Sequence, residues 1–183
     1  TNKLRYLSKG KYYLSVARLV PEKNVDKIVK AFQKIPGKKL YVIGNGPMKE
    51  EIEKMAEGYK NIRIFGFLEE NELRKIIGKS ITMIGMCENE DFSMNFMESL
   101  AAGKPIISIN PNRKSKKLEI GKSGVLIPEE NPKNIIEAVN YLTADKAKKM
   151  RKECEKKSKQ FSIENHVKKI LDSLKLNDSI EQE

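Results

Sequence analysis

A chain of 183 residues is long enough for one well-packed domain and short for two. Its 36 Lys and Arg against 25 Asp and Glu leave a formal net charge of +11, but the charges run in Lys/Glu mixtures typical of solvated helix faces. No aromatic-interleaved basic strand or recognition helix points to nucleic acid, no apolar run approaches the ~18 residues of a membrane span, and Cys87 and Cys154 form neither a Cys-x-x-Cys nor a Cys/His cluster.

In chain order, Tyr12-Tyr13-Leu14-Ser15-Val16 reads as a first strand, after which Val25, Ile28, Val29 and Phe32 fall on one helical face. Residues 40–43 form a second strand, followed by a helix from about Pro47 to Ala56 with Gly58 as its stop. Residues 62–65, 81–86, 106–109 and 125–127 supply four more strands, and helices are expected over residues 71–77, 92–102 and 132–142. Strands separated by helices imply right-handed crossovers. The fold class is therefore α/β: a Rossmann-like three-layer domain with a mainly parallel sheet of about six strands. Residues 144–159 form a strongly charged helix, and Ser162 reads as the N-cap of a further helix over 164–174. Residues 1–176 are expected to be one domain and 177–183 a disordered tail.

Glu90 and Glu98 bracket the segment Glu90-Asp91-Phe92-Ser93-Met94-Asn95-Phe96-Met97-Glu98, which follows an apolar strand and runs into a helix ending at Gly103. Two carboxylates then stand at the carboxyl end of a buried strand beside a helix N-terminus. In open α/β sheets ligands bind at that edge, and helix-terminal N–H groups suit phosphate. The acids could accept hydrogen bonds from sugar or ribose hydroxyls while the amides take a diphosphate. Two acids at this spacing also fit a glycosidase pair. Arg18 and Lys23, in the turn after the first strand, would then be unused, whereas two cations there could flank a diphosphate. Gly44-Asn45-Gly46 after the second strand invites a dinucleotide reading, but the third glycine of that fingerprint would fall at Lys49. His166, the single histidine, sits late in the chain and reads as structural.

Glu-x7-Glu followed by Gly-x-Pro and an apolar strand resembles the donor-site signature of family 4 glycosyltransferases, retaining enzymes of the GT-B fold. Further segments match in the family's order. Ser15 to Asp26 resembles its phosphate-binding Arg/Lys segment, and Tyr41-Val42-Ile43-Gly44-Asn45-Gly46-Pro47 its Gly-x-Gly-Pro turn. Ile64 to Leu68 resembles the strand and turn that holds the nucleotide base, and Phe161-Ser162-Ile163-Glu164 its late helix start. The resemblance covers roughly residues 11 to 170.

It implies one half of a GT-B enzyme, the C-terminal donor-binding domain. In that reading Arg18, Lys23 and Glu90 are catalytic, with Glu90 facing donor-sugar hydroxyls. Gly44, Gly46, Phe67, Leu68, Phe92, Ser93, Met94 and Glu98 hold the nucleotide, Glu98 at the ribose. The implied substrate is a UDP- or GDP-sugar, with a mannosyl or glucosyl group passed to a sugar or lipid-linked acceptor. No metal and no cofactor is expected. An N-terminal acceptor domain or subunit is the implied partner, the isolated domain should turn over weakly, and a cytoplasmic setting is expected, with peripheral contact at the inner membrane face left open. A non-catalytic nucleotide-sugar-binding module and another GT-B enzyme, such as a sugar-nucleotide epimerase, are the alternatives. Departures from the family are Ser93 in place of a glycine, Cys87 where serine is frequent, and a basic run from Asn110 to Lys117 in place of Gly-Gly-x-x-Glu.

Overall fold

Short apolar runs separated by amphipathic stretches become strands and helices in strict alternation through most of the chain. In a computed structural model describing residues 6–86, 94–109 and 119–160, the strands are β1 (Tyr13–Val16), β2 (Leu40–Ile43), β3 (Ile62–Phe65), β4 (Met83–Ile84), β5 (Ile106–Ile109), β6 (Glu119–Gly121) and β7 (Gly124–Ile127). The helices are α1 (Val25–Gln33), α2 (Lys49–Ala56), α3 (Glu70–Lys79), α4 (Met94–Ala101), α5 (Pro132–Tyr141) and α6 (Ala144–Gln160). The sheet order is β3-β2-β1-β4-β5-β7-β6. Every neighbouring pair is parallel except β6 with β7.

The central strands are apolar on both faces, as a sheet covered on both sides requires. Along β1, Tyr13 enters one core and Leu14 the other, following the period of two. The larger core lies under α1, α2 and α5, where Val25, Ile28, Val29 and Phe32 form the buried stripe of α1. The smaller core gathers Leu14, Ile43, Ile77, Met83 and Ala102, with Leu73, Ile76 and Phe96 of α3 and α4 packed on it. α5 starts where Asn131 Oδ1 accepts from the Asn134 N–H at 2.9 Å, with Pro132 in the first turn. α6 touches the larger core through Ala147 and Met150 and packs along α4.

Two features depart from the expected layout. The strand foreseen over residues 81–86 shrinks to Met83–Ile84, because its register with β1 holds one pair, Leu14 opposite Met83. An edge strand, β6, was not foreseen. It pairs antiparallel to β7 through a two-residue turn at Lys122-Ser123, with Gly121 opposite Gly124. No helix among the described residues is long and apolar enough to cross a membrane. Cys87, the basic run over 110–117, the late helix with Ser162 and His166, and the expected tail 177–183 lie outside the described residues.

Candidate functional site

The strand order has a topological switch point at β1. From β1 the chain winds outward through β2 and β3, then returns to the opposite side with β4 and β5. The connections leaving β1 and β4 therefore diverge, and a crevice opens at the carboxyl ends of these strands. Arg18 and Lys23 lie in the connection after β1, Gly44 and Gly46 after β2, Phe67 and Leu68 after β3, and Met94 and Glu98 on α4 after β4. All eight thus belong to connections leaving one edge of the sheet. Glu90, Phe92 and Ser93 lie outside the described residues.

The connection after β1 is built by a short 3-10 turn, Pro21–Lys23, closed by Lys23 N–H to Val20 O at 3.1 Å and Asn24 N–H to Pro21 O at 3.0 Å. Asn24 takes the left-handed conformation, φ 51°, and the chain then enters α1. Arg18 is exposed and Lys23 half-buried. The glycine turn after β2 lies directly on this connection. A Cβ on Gly44 would stand 1.9 Å from Ala17 O, and one on Gly46 would stand 2.4 Å from Leu19 O. Leu19 N–H donates to Asn45 O at 2.9 Å, and Met48 N–H to Leu19 O at 3.0 Å. Both glycines therefore let one backbone rest against the other, so the β2 turn supports the segment carrying Arg18.

The remaining candidates divide by exposure. Phe67 is 80% exposed, whereas its neighbour Leu68 packs against the smaller core. Met94, at the first turn of α4, is 76% exposed. Lys49, at the start of α2, carries its Nζ to 3.8 Å from where a Cβ of Gly66 would lie, placing an ammonium between the β2 and β3 turns. Glu98 is partly buried, and burial raises its carboxyl above the ordinary range; the nearby Arg74 charge opposes that and Glu70 reinforces it. Arg74 and Glu70 form an ion pair on α3.

Two asparagines absent from the sequence-based candidates also sit here. Asn24 Nδ2 donates to Met86 O at 2.8 Å, and Asn95 Nδ2 donates to Val16 O at 2.9 Å. A local signal existed for the first alone: Asn is the residue after glycine that best tolerates a left-handed position. Nothing local in the sequence marks Arg74 either, because its charge meets Glu98 only through the tertiary fold.

Chemically, the edge combines two cations on one connection, a carboxyl raised above its ordinary range by burial, and an exposed aromatic ring. A family model described as Glycosyl transferases group 1 matches residues 2–161. The chain is 28% identical over 130 residues to the alpha-monoglucosyldiacylglycerol synthase of Acholeplasma laidlawii, covering 66% of this chain and 33% of that one. It is 24% identical over 145 residues to the GDP-mannose-dependent alpha-(1-6)-phosphatidylinositol monomannoside mannosyltransferase of Mycobacterium tuberculosis, covering 72% and 38%. Among solved structures it resembles the C-terminal domain of a glycosyl transferase group 1 family protein of Francisella tularensis, with TM-score 0.68, 20% identity, and coverage of 84% of this chain and 88% of that one. At that identity the likeness concerns the fold, which is that of a GT-B C-terminal domain. The chain spans between 15% and 42% of the length of the curated relatives it matches.

Proposed function

The chain belongs to the group 1 glycosyl transferases, and on that footing we propose that its switch-point edge binds a nucleoside-diphosphate sugar, as the donor half of a retaining, family 4 hexosyltransferase. The observation that carries this reading is the arrangement around β1. Arg18 and Lys23 stand on a connection braced by the β2 turn, beside α4, which bears Glu98.

In the proposed step the bond between the sugar's anomeric carbon and the diphosphate oxygen breaks. An acceptor hydroxyl forms its new bond on the same face, and its proton passes to the departing phosphate. Negative charge grows on the phosphate oxygens, where Arg18 and Lys23 would stabilise it in place. Glu98, once ionised, accepts hydrogen bonds from the ribose hydroxyls. Glu90 takes the donor-sugar hydroxyls, and the amides of Phe92, Ser93 and Met94 take the diphosphate. Gly44, Gly46 and Phe67 border the nucleoside, with Leu68 holding that turn to the core. The relatives' names support a glucosyl or mannosyl donor and a lipid-linked acceptor. The acceptor side belongs to a second domain, carried by the same polypeptide or by another subunit, so this domain alone binds donor better than it transfers hexose.

The test is thermal stabilisation by UDP, GDP, UDP-glucose and GDP-mannose, in the wild type and in Arg18→Ala and Glu98→Ala. Ligand at a hundredfold excess over its dissociation constant adds roughly 2.7 kcal/mol. At roughly 2–4 °C per kcal/mol for this size, the gain is about 5–11 °C. One nucleotide class should give that shift and both substitutions should abolish it. A wild type indifferent to all four ligands would refute the donor site in this chain.

A further inference from the structure

At the switch point the sheet loses its own backbone adhesive. β1 and β2 share four register pairs, Tyr13 with Leu40 through Val16 with Ile43, whereas β1 and β4 share one, Leu14 with Met83. Beyond that pair the two strands part, and their outgoing segments form the walls of the crevice. Side chains take over there. Asn95, in the first turn of α4, donates Nδ2–H to the carbonyl of Val16, the last residue of β1. Asn24, closing the turn that holds Lys23, donates Nδ2–H to the carbonyl of Met86, two residues past β4. One amide reaches from the β4 side to the β1 side, the other the opposite way.

We propose that Asn24 and Asn95 are positioning residues that lace the two walls of the crevice together, fixing the distance between the Arg18–Lys23 connection and α4. They need not touch the ligand. Their effect on a nucleoside diphosphate is indirect: with the lace intact the cations and the α4 edge are preorganised, and without it part of the binding free energy goes into ordering them. The effect on affinity rests on the donor-site reading above; the lace itself does not.

Two variants separate the amide bridge from other consequences. Asn24→Gly keeps the left-handed conformation without strain and removes only the side-chain bridges. Asn95→Ala retains, and even favours, the helical backbone of α4. Backbone hydrogen exchange on the ligand-free chain reads the lace directly. Each variant should accelerate exchange at Ala17 to Lys23 and at Gly85 and Met86, leaving β5 and β7 unchanged. Asn95→Asp, which turns a donor into an acceptor facing Val16 O, should loosen these segments more than Asn95→Ala; a side chain that served only to fill space would tolerate Asp. In calorimetric titration with UDP and GDP, the dissociation constant of whichever binds should rise roughly three- to tenfold in each of the first two variants, the equivalent of one hydrogen bond.

Unchanged exchange in both variants would overturn the lace, as would faster exchange with an unchanged dissociation constant for its positioning role. If neither nucleotide binds the wild type, the donor reading falls, and the exchange data alone decide whether the lace exists.

Discussion

At Glu98 the proposed binding role and folding stability pull in opposite directions. Burial raises its carboxyl above the ordinary range, with Arg74 opposing and Glu70 reinforcing that shift. A carboxyl raised in the folded state contributes its stability below the unfolded pKa and loses it as pH rises through the folded one. Above that raised pKa the ligand-free protein therefore carries an unfavourable, partly buried charge, and Glu98→Gln should raise its melting temperature there. In the proposed donor site the ionised form is the stronger acceptor for ribose hydroxyls, so nucleotide affinity should climb as pH rises through the raised pKa. In Glu98→Gln that climb should vanish, and affinity at pH 7.5 should drop by about tenfold or more, the scale of a hydrogen bond to a charged group. Titrations from pH 4.5 to 8, paired with melts, check both halves. The glycines of the β2 turn act at the same scale. Gly44 has φ +155° and no room for a Cβ against Ala17 O, so Gly44→Ala should cost about 2–4 kcal/mol, seen as a lower urea midpoint.

Elements are joined by bonds between residues far apart in sequence. Tyr13, fully buried on β1, shares its hydroxyl proton between Val139 O at 2.8 Å and Leu142 O at 3.0 Å, at the end of α5. Tyr13→Phe leaves both carbonyls facing an apolar ring edge, so the chain should lose about 1–2 kcal/mol in urea denaturation with an unchanged slope. The strands themselves were legible from local pattern: residues 40–43, 62–65 and 106–109 were assigned with the bounds the structure shows, because apolar runs punctuated by Gly and Pro need no tertiary information. β4 was overextended because its truncation follows from divergence at the switch point, which only the strand order reveals. β6 was invisible because Glu119-Ile120-Gly121 has too few residues to show alternation and pairs only through its hairpin with β7. Arg18, Lys23 and Glu98 stand out through motif spacing, and the structure places all three on connections leaving one edge of the sheet. Asn24 and Asn95 do not stand out, since each acquires its partner from a different element, and Arg74 pairs locally with Glu70 while its charge reaches Glu98 only through the tertiary fold.

At the scale of the whole molecule, the leading segment straps the amino-terminal side of the fold. Leu7 N–H donates to Gly78 O at the end of α3 at 2.9 Å, and Lys9 pairs with Asp145 of α6 at 2.7 Å. The Tyr6 ring lies 4.0 Å from Lys104 Nζ and 4.5 Å from the Arg151 guanidinium, while Lys104 Nζ also donates to Ser8 O. Lys104, between α4 and β5, is almost fully buried, and burial, with Arg151 adding to it, pulls its ammonium down to about 8. Burial pushes the Cys154 thiol up to about 12, so it stays protonated and neutral through this range and lends the ammonium no charge. In the unfolded chain the lysine holds its proton to roughly pH 10.4. Between those values the unfolded state binds a proton that the folded state has released, so this group makes stability rise with pH. Below about 8 it is charged in both states and contributes no slope. The melting temperature of the wild type relative to Lys104→Met should accordingly stay level from pH 6 to 7.5 and climb from pH 8 to 10, the subtraction removing titrations common to both proteins. A difference that stays flat across the upper range would mean that the strap keeps Lys104 charged, with the two aromatic and carbonyl contacts to Tyr6 and Ser8 outweighing its burial.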